Sequence, residues 1–184
     1  MVLTKSSMID LGSTLPDFSL VNTVNGEMFR IGDTFHAKGV LIMFICNHCP
    51  YVKHINNKLV EITNEYLNKE IAIVGINSNN VEKYEEDSPA NMKLVAEEQG
   101  YKFPYLFDEK QSVAKKFNAV CTPEFYLYNA ERKLVYRGRF DSSRPGADSL
   151  VTGQDLKNAL ESLVTNKPIS EEQYPSMGCN IKWK

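Results

Sequence analysis

The sequence predicts an α/β fold organised around a parallel strand–helix–strand crossover. Three segments carry that reading. Gly39 to Ile45 contains the unbroken apolar run Val40-Leu41-Ile42-Met43-Phe44-Ile45, the pattern of a strand buried on both faces. Val52, Ile55, Leu59, Ile62 and Tyr66 then recur at helical spacing, which sets a helix from about Pro50 to Asn68. Ile71-Ala72-Ile73-Val74-Gly75-Ile76-Asn77 is a second buried strand. A strand, a helix and a strand in this order imply a right-handed crossover.

The remaining elements follow along the chain. Phe18 to Val21 and Glu27 to Ile31 flank Asn22-Thr23-Val24-Asn25-Gly26, an N-terminal β-hairpin with Asn25-Gly26 in its turn. An insertion follows the second buried strand. Within it, Ser88-Pro89 supplies a cap and a first position for a helix that ends near Gly100. Tyr105-Leu106-Phe107 reads as a short strand and Gln111 to Phe117 as a short helix. Glu124 to Tyr128 and Lys133 to Arg139 form a second hairpin around Asn129-Ala130-Glu131-Arg132. Asp155 to Val164 is a closing amphipathic helix with Leu156, Leu160 and Leu163 on one face. No linker or repeat divides the chain, so residues 1–184 are expected to form one domain, with 167–184 as a tail packing on it through Trp183.

Composition narrows the function classes. Apolar residues make up 42% and charged residues 24% of the 184, as in ordinary globular chains. A net charge of −2 offers no basic surface, so no nucleic-acid partner is expected. No apolar run approaches the roughly 20 residues of a membrane span. No signal peptide is legible at the N-terminus, which points to a cytoplasmic protein without a membrane partner. Four cysteines in such a chain are not a structural disulfide framework. A Cys-x-x-Cys pair there points to redox work or to a metal.

That pair is Cys46-Asn47-His48-Cys49, followed by Pro50. It lies between the buried strand and the mouth of the helix. A helix N-terminus offers unpaired N–H groups and the positive end of a dipole. Both favour the thiolate, which is the nucleophile in thiol chemistry. His48, between the two sulfurs, is a candidate for tuning them, and Pro50 suits the first turn.

The crossover bearing this pair, the later Thr122-Pro123, the second hairpin and the closing helix together resemble the thioredoxin superfamily. The resemblance implies a thioredoxin-like fold in which Pro123 is cis and faces the cysteines. The N-terminal hairpin, Pro16-Asp17-Phe18-Ser19-Leu20, Cys121-Thr122-Pro123 and Gly178-Cys179-Asn180-Ile181-Lys182-Trp183 are similar to the peroxiredoxin-like AhpC/TSA redoxins. Two registers are open. Bare Cys-x-x-Cys makes Cys46 the exposed nucleophile. The spacing from Phe44, and Cys49-Pro50, place Cys49 where peroxiredoxins carry the peroxidatic cysteine, with Cys46 replacing their threonine. Both registers give a Cys46–Cys49 redox couple.

The expected activity is thiol–disulfide oxidoreduction. One cysteine attacks a protein or small-molecule disulfide and the other resolves the mixed disulfide. Thr122 and Pro123 would bind the substrate chain in strand-like pairing. No bound cofactor is needed; another dithiol supplies electrons. The alternative is a thiol-dependent peroxidase in which peroxide oxidises Cys49 to a sulfenic acid. A different class is a copper- or zinc-binding chaperone using Cys46, His48, Cys49 and His54. Cys121, two residues before Pro123, reads as either an accessory thiol or a small buried packing residue. Cys179 reads first as a packing or exposed tail residue. Arg137 and Arg139 are the candidate thiolate-stabilising cations, though a solvated strand edge suits them better. No acidic residue occurs in the strand before the pair, where thioredoxins bury one.

Overall fold

The computed structural model describes residues 3–184. A seven-stranded sheet has the order β3-β2-β6-β5-β4-β8-β9. Its strands are β2 (Ser19–Asn22), β3 (Met28–Arg30), β4 (Gly39–Phe44), β5 (Ile71–Asn77), β6 (Tyr105–Phe107), β8 (Glu124–Asn129) and β9 (Leu134–Gly138). β4, β5 and β6 run parallel, and the other neighbours are antiparallel. β4 lies inside the sheet, between β5 and β8. This is a thioredoxin-like α/β fold with the N-terminal hairpin, β2–β3, at one edge.

The continuous apolar run of β4 is explained by its two buried faces. Leu41, Met43 and Ile45 join one half of the core; Val40, Ile42 and Phe44 join the other. α1 (Pro50–Leu67), α2 (Pro89–Gln99) and α4 (Gln154–Val164) cover the first face. α1 contributes Val52, Ile55, Leu59, Ile62 and Tyr66, the stripe seen in the sequence. The second face is closed by α3 (Ser112–Lys116) with Phe117, by Phe18 and by Ile31. At α2, Ser88 Oγ accepts from the Asn91 N–H and Gly100 closes the helix with φ 72°. An N-cap of this kind is worth about 1 kcal/mol.

A second sheet was not legible in the sequence. β1 (Leu3–Lys5), β10 (Met177–Asn180) and β7 (Cys121–Thr122) form it in the order β1-β10-β7, all antiparallel. Here the C-terminal segment is held by main-chain pairing and by buried Ile181. Trp183, the expected anchor, is 39% exposed. β10 approaches the loop before Pro123 so closely that only glycine fits at 178. A Cβ there would sit 2.0 Å from the Thr122 carbonyl oxygen.

Candidate functional site

The site lies where β4 ends, α1 begins and β10 meets the Thr122–Pro123 loop. Ile45, just past β4, still bonds to β5 through its N–H and the Ile76 carbonyl, at 3.0 Å. The chain then leaves the sheet. Cys49 is the N-cap of α1 and Pro50 its first residue, so the Cys49 sulfur stands at the helix mouth. The Thr122–Pro123 peptide is cis. Thr122 spans both sulfurs: Cys46 Sγ is 3.3 Å from its Oγ1 and Cys49 Sγ is 3.2 Å from its carbonyl oxygen.

Cys179 also reaches this point. Its Sγ lies 2.9 Å from Cys49 Sγ. All four cysteines are reduced. The sulfur at 49 therefore has a thiol on either side. The hydrogen bond from Cys46 is the main influence holding Cys49 down to about 5; burial opposes it, and the Cys179 thiol and the Val52 N–H add to it. Burial pushes the Cys46 thiol well up, and Cys49 and Asp87 add to the rise. Cys179 is pushed up to about 12, again first by burial and then by Cys49. Of the three sulfurs gathered here, Cys49 is the one held down, and Cys46 and Cys179 are both pushed up.

Burial departs from expectation. Cys46 is 2% exposed and Cys49 not at all. The exposure that one register expected at Cys46 is not found: the turn before α2 bonds Asn47 and His48 beside it, and its sulfur meets Thr122 Oγ1. Cys46 instead borders a cleft of about 320 Å³ between α1 and α2, lined also by Asn47, Val52, Lys53, Asn56 and Tyr101. The main-chain edge expected to receive a substrate strand is filled as well. Thr122 pairs with Cys179 and Cys121 with Asn180, both of β10. Pro123 faces a smaller pocket with Tyr51 and His54 on the other side of the α1 mouth.

His48 meets a carboxylate rather than a thiol. Its Nδ1 is 2.5 Å from Asp87 Oδ2 and its ring stacks on Tyr84 at 4.9 Å. Asp87 is fully buried. Its Oδ1 accepts from the Asn47 and His48 N–H groups at 2.7 and 3.4 Å, and its Oδ2 from Asn79 Nδ2 at 2.8 Å. Burial would raise this carboxyl, but the bonds from His48, Asn79 and Asn47 outweigh it and hold it below the ordinary range. Asn79 accepts the Lys182 N–H through its Oδ1 at 2.8 Å, which ties the C-terminal segment to the same network. A buried acid therefore stands beside the pair, carried by the insertion and not by β4. Asp87 and Tyr84 escaped sequence reasoning, because Glu85-Glu86-Asp87 reads as a solvated acidic run.

Cys46, His48 and Asp87 place their donor atoms within 4.8 Å of one another. They fit a metal poorly. Both Asp87 oxygens are already taken by four donors, the full capacity of a carboxylate. His54, the fourth ligand expected, bonds Ser143 at 3.1 Å beside Pro123. Cys121 is buried and its thiol points to Glu124 Oε2 at 3.6 Å. Arg137 is bound to the Ile9 carbonyl and to Gln173, and Arg139 to Asp155, so neither cation serves the sulfurs.

Residues 11–137 match the AhpC/TSA family. The chain belongs to that family. AhpC/TSA membership makes it a thioredoxin-fold redox protein. Two solved structures match nearly end to end. An uncharacterised conserved protein from Geobacillus kaustophilus is 49% identical, with 100% of this chain and 97% of that one covered and a TM-score of 0.97. A hypothetical protein from Sinorhizobium meliloti is 40% identical over 98% of each chain, with a TM-score of 0.96. The thioredoxin domain of a thiol-disulfide oxidoreductase from Bacteroides vulgatus shares the fold at 22% identity, covering 85% of this chain and 99% of its own, with a TM-score of 0.64. No curated protein matches the chain.

Proposed function

We propose that this redoxin is a thiol–disulfide oxidoreductase in which Cys49 is the attacking thiolate and Cys46 its partner in a reversible disulfide. The observation that carries the reading is the position of Cys49: N-cap of α1, held down to about 5 by a thiol three residues away. Cys49 attacks a sulfur of the incoming disulfide and expels the other half as a thiolate. Cys46 then attacks Cys49 Sγ, and the second half leaves as a thiol. His48 and Asp87 fix the turn that carries Cys46. The substrate class is a small disulfide, because β10 covers the Thr122 edge that an extended polypeptide would pair with; the α1–α2 cleft leads to Cys46, and since Cys49 is fully buried and not on its wall, the cleft must open further for the attack. An external dithiol returns the electrons.

Burial favours one second reading. Hydrogen peroxide is small enough to reach a fully buried Cys49, so a thiol-dependent peroxidase is the alternative. The two are separated by single-turnover rates of the reduced protein with glutathione disulfide and with hydrogen peroxide. The oxidoreductase reading expects the disulfide to react faster at equal concentration and to leave a Cys46–Cys49 link in Cys179→Ala. A faster peroxide reaction, with turnover sustained by dithiol, would reverse the order.

A further inference from the structure

We propose that Cys179 is a third redox-active thiol, which exchanges with the Cys46–Cys49 couple through Cys49. The proposal rests on the reading of Cys49 as nucleophile and adds a second intramolecular partner for it.

Geometry carries the argument. The Cys49 and Cys179 sulfurs are 2.9 Å apart, well inside an ordinary contact between two sulfurs. Cys179 is delivered there by a strand. β10 is paired with β1 on one side and with the Thr122–Pro123 loop on the other, so Cys179 sits opposite Thr122, whose carbonyl also touches Cys49. The close approach depends on Gly178, where any side chain would strike that carbonyl. β10 therefore lies along the main-chain edge where a substrate strand would pair, and presents its cysteine to the nucleophile as a substrate would. Cys121 makes the contrast. It is equally buried two residues before Pro123, yet its thiol is engaged by Glu124.

The chemistry balances without a new reagent. Cys49 thiolate attacks glutathione disulfide; a Cys49–glutathione bond forms and glutathione thiolate leaves and takes a proton from solvent. The Cys179 sulfur then attacks Cys49 Sγ. The Cys49–Cys179 bond forms, the second glutathione leaves, and the Cys179 proton ends on it. One disulfide has been reduced and two protein thiols oxidised. Attack of Cys46 on Cys49 next converts Cys49–Cys179 to Cys46–Cys49. Cys179 leaves and takes up the proton lost by Cys46, with no net transfer of electrons. In the first of these disulfides β10 is covalently tied to the mouth of α1; in the second only its main-chain pairing holds it.

The test is disulfide mapping of the full chain poised in a graded series of glutathione and glutathione disulfide, with acid quench and peptide mass analysis. Partly oxidised wild type should yield both the Cys46–Cys49 and the Cys49–Cys179 linkages. Cys46→Ala should lose two hydrogens and yield Cys49–Cys179 alone. Wild type without the Cys49–Cys179 linkage at every poise, or a folded Cys46→Ala that retains glutathione on Cys49, would overturn the proposal. Should Cys46→Ala not fold, the wild-type series decides. Cys179→Ala reports separately on the parent reading: failure to form Cys46–Cys49 there removes that couple and with it the exchange step, whereas a missing Cys49–Cys179 linkage in wild type removes only the role of Cys179.

Discussion

Asp87 Oδ2 lies 2.5 Å from His48 Nδ1, so the residue between the two cysteines is held by a buried carboxylate from the insertion. The carboxylate also acts on the neighbouring sulfur, since its charge helps to push the Cys46 thiol up. The pair acts in opposite senses on the proposed Cys46–Cys49 couple. Asp87 disfavours thiolate nearby, while the His48 ring satisfies and screens Asp87.

The first prediction uses that opposition. Asp87→Asn removes a negative charge beside the thiols, stabilises the reduced form and makes the couple more oxidising. His48→Ala removes the donor, leaves the carboxylate facing Cys46 and makes it more reducing. A shift of about 30 mV corresponds to ~1.4 kcal/mol for this two-electron couple. Equilibration with glutathione in a Cys179→Ala background measures both. Shifts of the same sign would rule out the charge argument and leave a structural role for the pair.

The second prediction concerns pH. Cys49 is an acid whose folded value, about 5, lies below its unfolded one. Its contribution to stability is therefore fully present above the unfolded thiol range, about 8.5, and is lost as pH falls towards 5. Reduced wild type should gain thermal stability between about pH 5 and about pH 8 relative to Cys49→Ala. Cys46 and Cys179 have the opposite sign: both are raised, so their contribution is lost as pH climbs past the unfolded range. The reaction of Cys49 with a small disulfide should rise through the same acid region and level off near neutrality. Cys46→Ala, which removes the strongest donor, should move that midpoint upward.

The framework of the fold was legible because it rests on local patterns. The unbroken run of β4, the stripe of α1 and the Ser88-Pro89 cap each declare an element within a few residues. The position of Cys49 at the helix mouth followed from the same signals. What stayed hidden depends on distant pairing. β10 has four residues and its partners are Leu3–Lys5 and Cys121–Thr122, at the two ends and the middle of the chain. Asp87 looks solvated in sequence and is buried only because Asn47, His48 and Asn79 converge on it. Gly178 before Cys179 was the one local sign of a close approach.

The third prediction tests that approach. Gly178→Ala places a methyl group 2.0 Å from the Thr122 carbonyl oxygen, so β10 must draw back. Overpacking of this kind costs about 1–3 kcal/mol. Cys49 should lose the Cys179 donor and its titration should move up, while Cys46, carried by a different segment, keeps its bond to Cys49. Thermal melting and pH-dependent disulfide reactivity measure the two effects. A Cys49 midpoint unchanged in Gly178→Ala would show that the thiol of β10 does not act on the nucleophile.

The fourth prediction is that peroxidase activity is weak, for two reasons visible at the site. Position 46 carries a thiol where a hydroxyl would orient peroxide beside Cys49. Neither candidate arginine faces the sulfur, since Arg137 is spent on Ile9 and Gln173 and Arg139 on Asp155. Loss of one placed donor costs roughly 10²–10³ in oxyanion-type sites. Cys49 should therefore react with hydrogen peroxide at a rate near that of a free thiolate, despite its low titration point. Cys46→Thr separates the two causes. The threonine hydroxyl would stand next to Thr122 Oγ1, which is 3.3 Å from the present sulfur, and could donate towards an oxidant at Cys49. If the missing hydroxyl limits the reaction, the second-order rate rises in Cys46→Thr and falls back in Cys46→Val, which has the shape without the donor. If both variants react alike, the limit lies elsewhere, as in the engagement of Arg137 and Arg139 away from the sulfur. A wild-type rate several orders of magnitude above a free thiol would refute the prediction and put the peroxidase reading first.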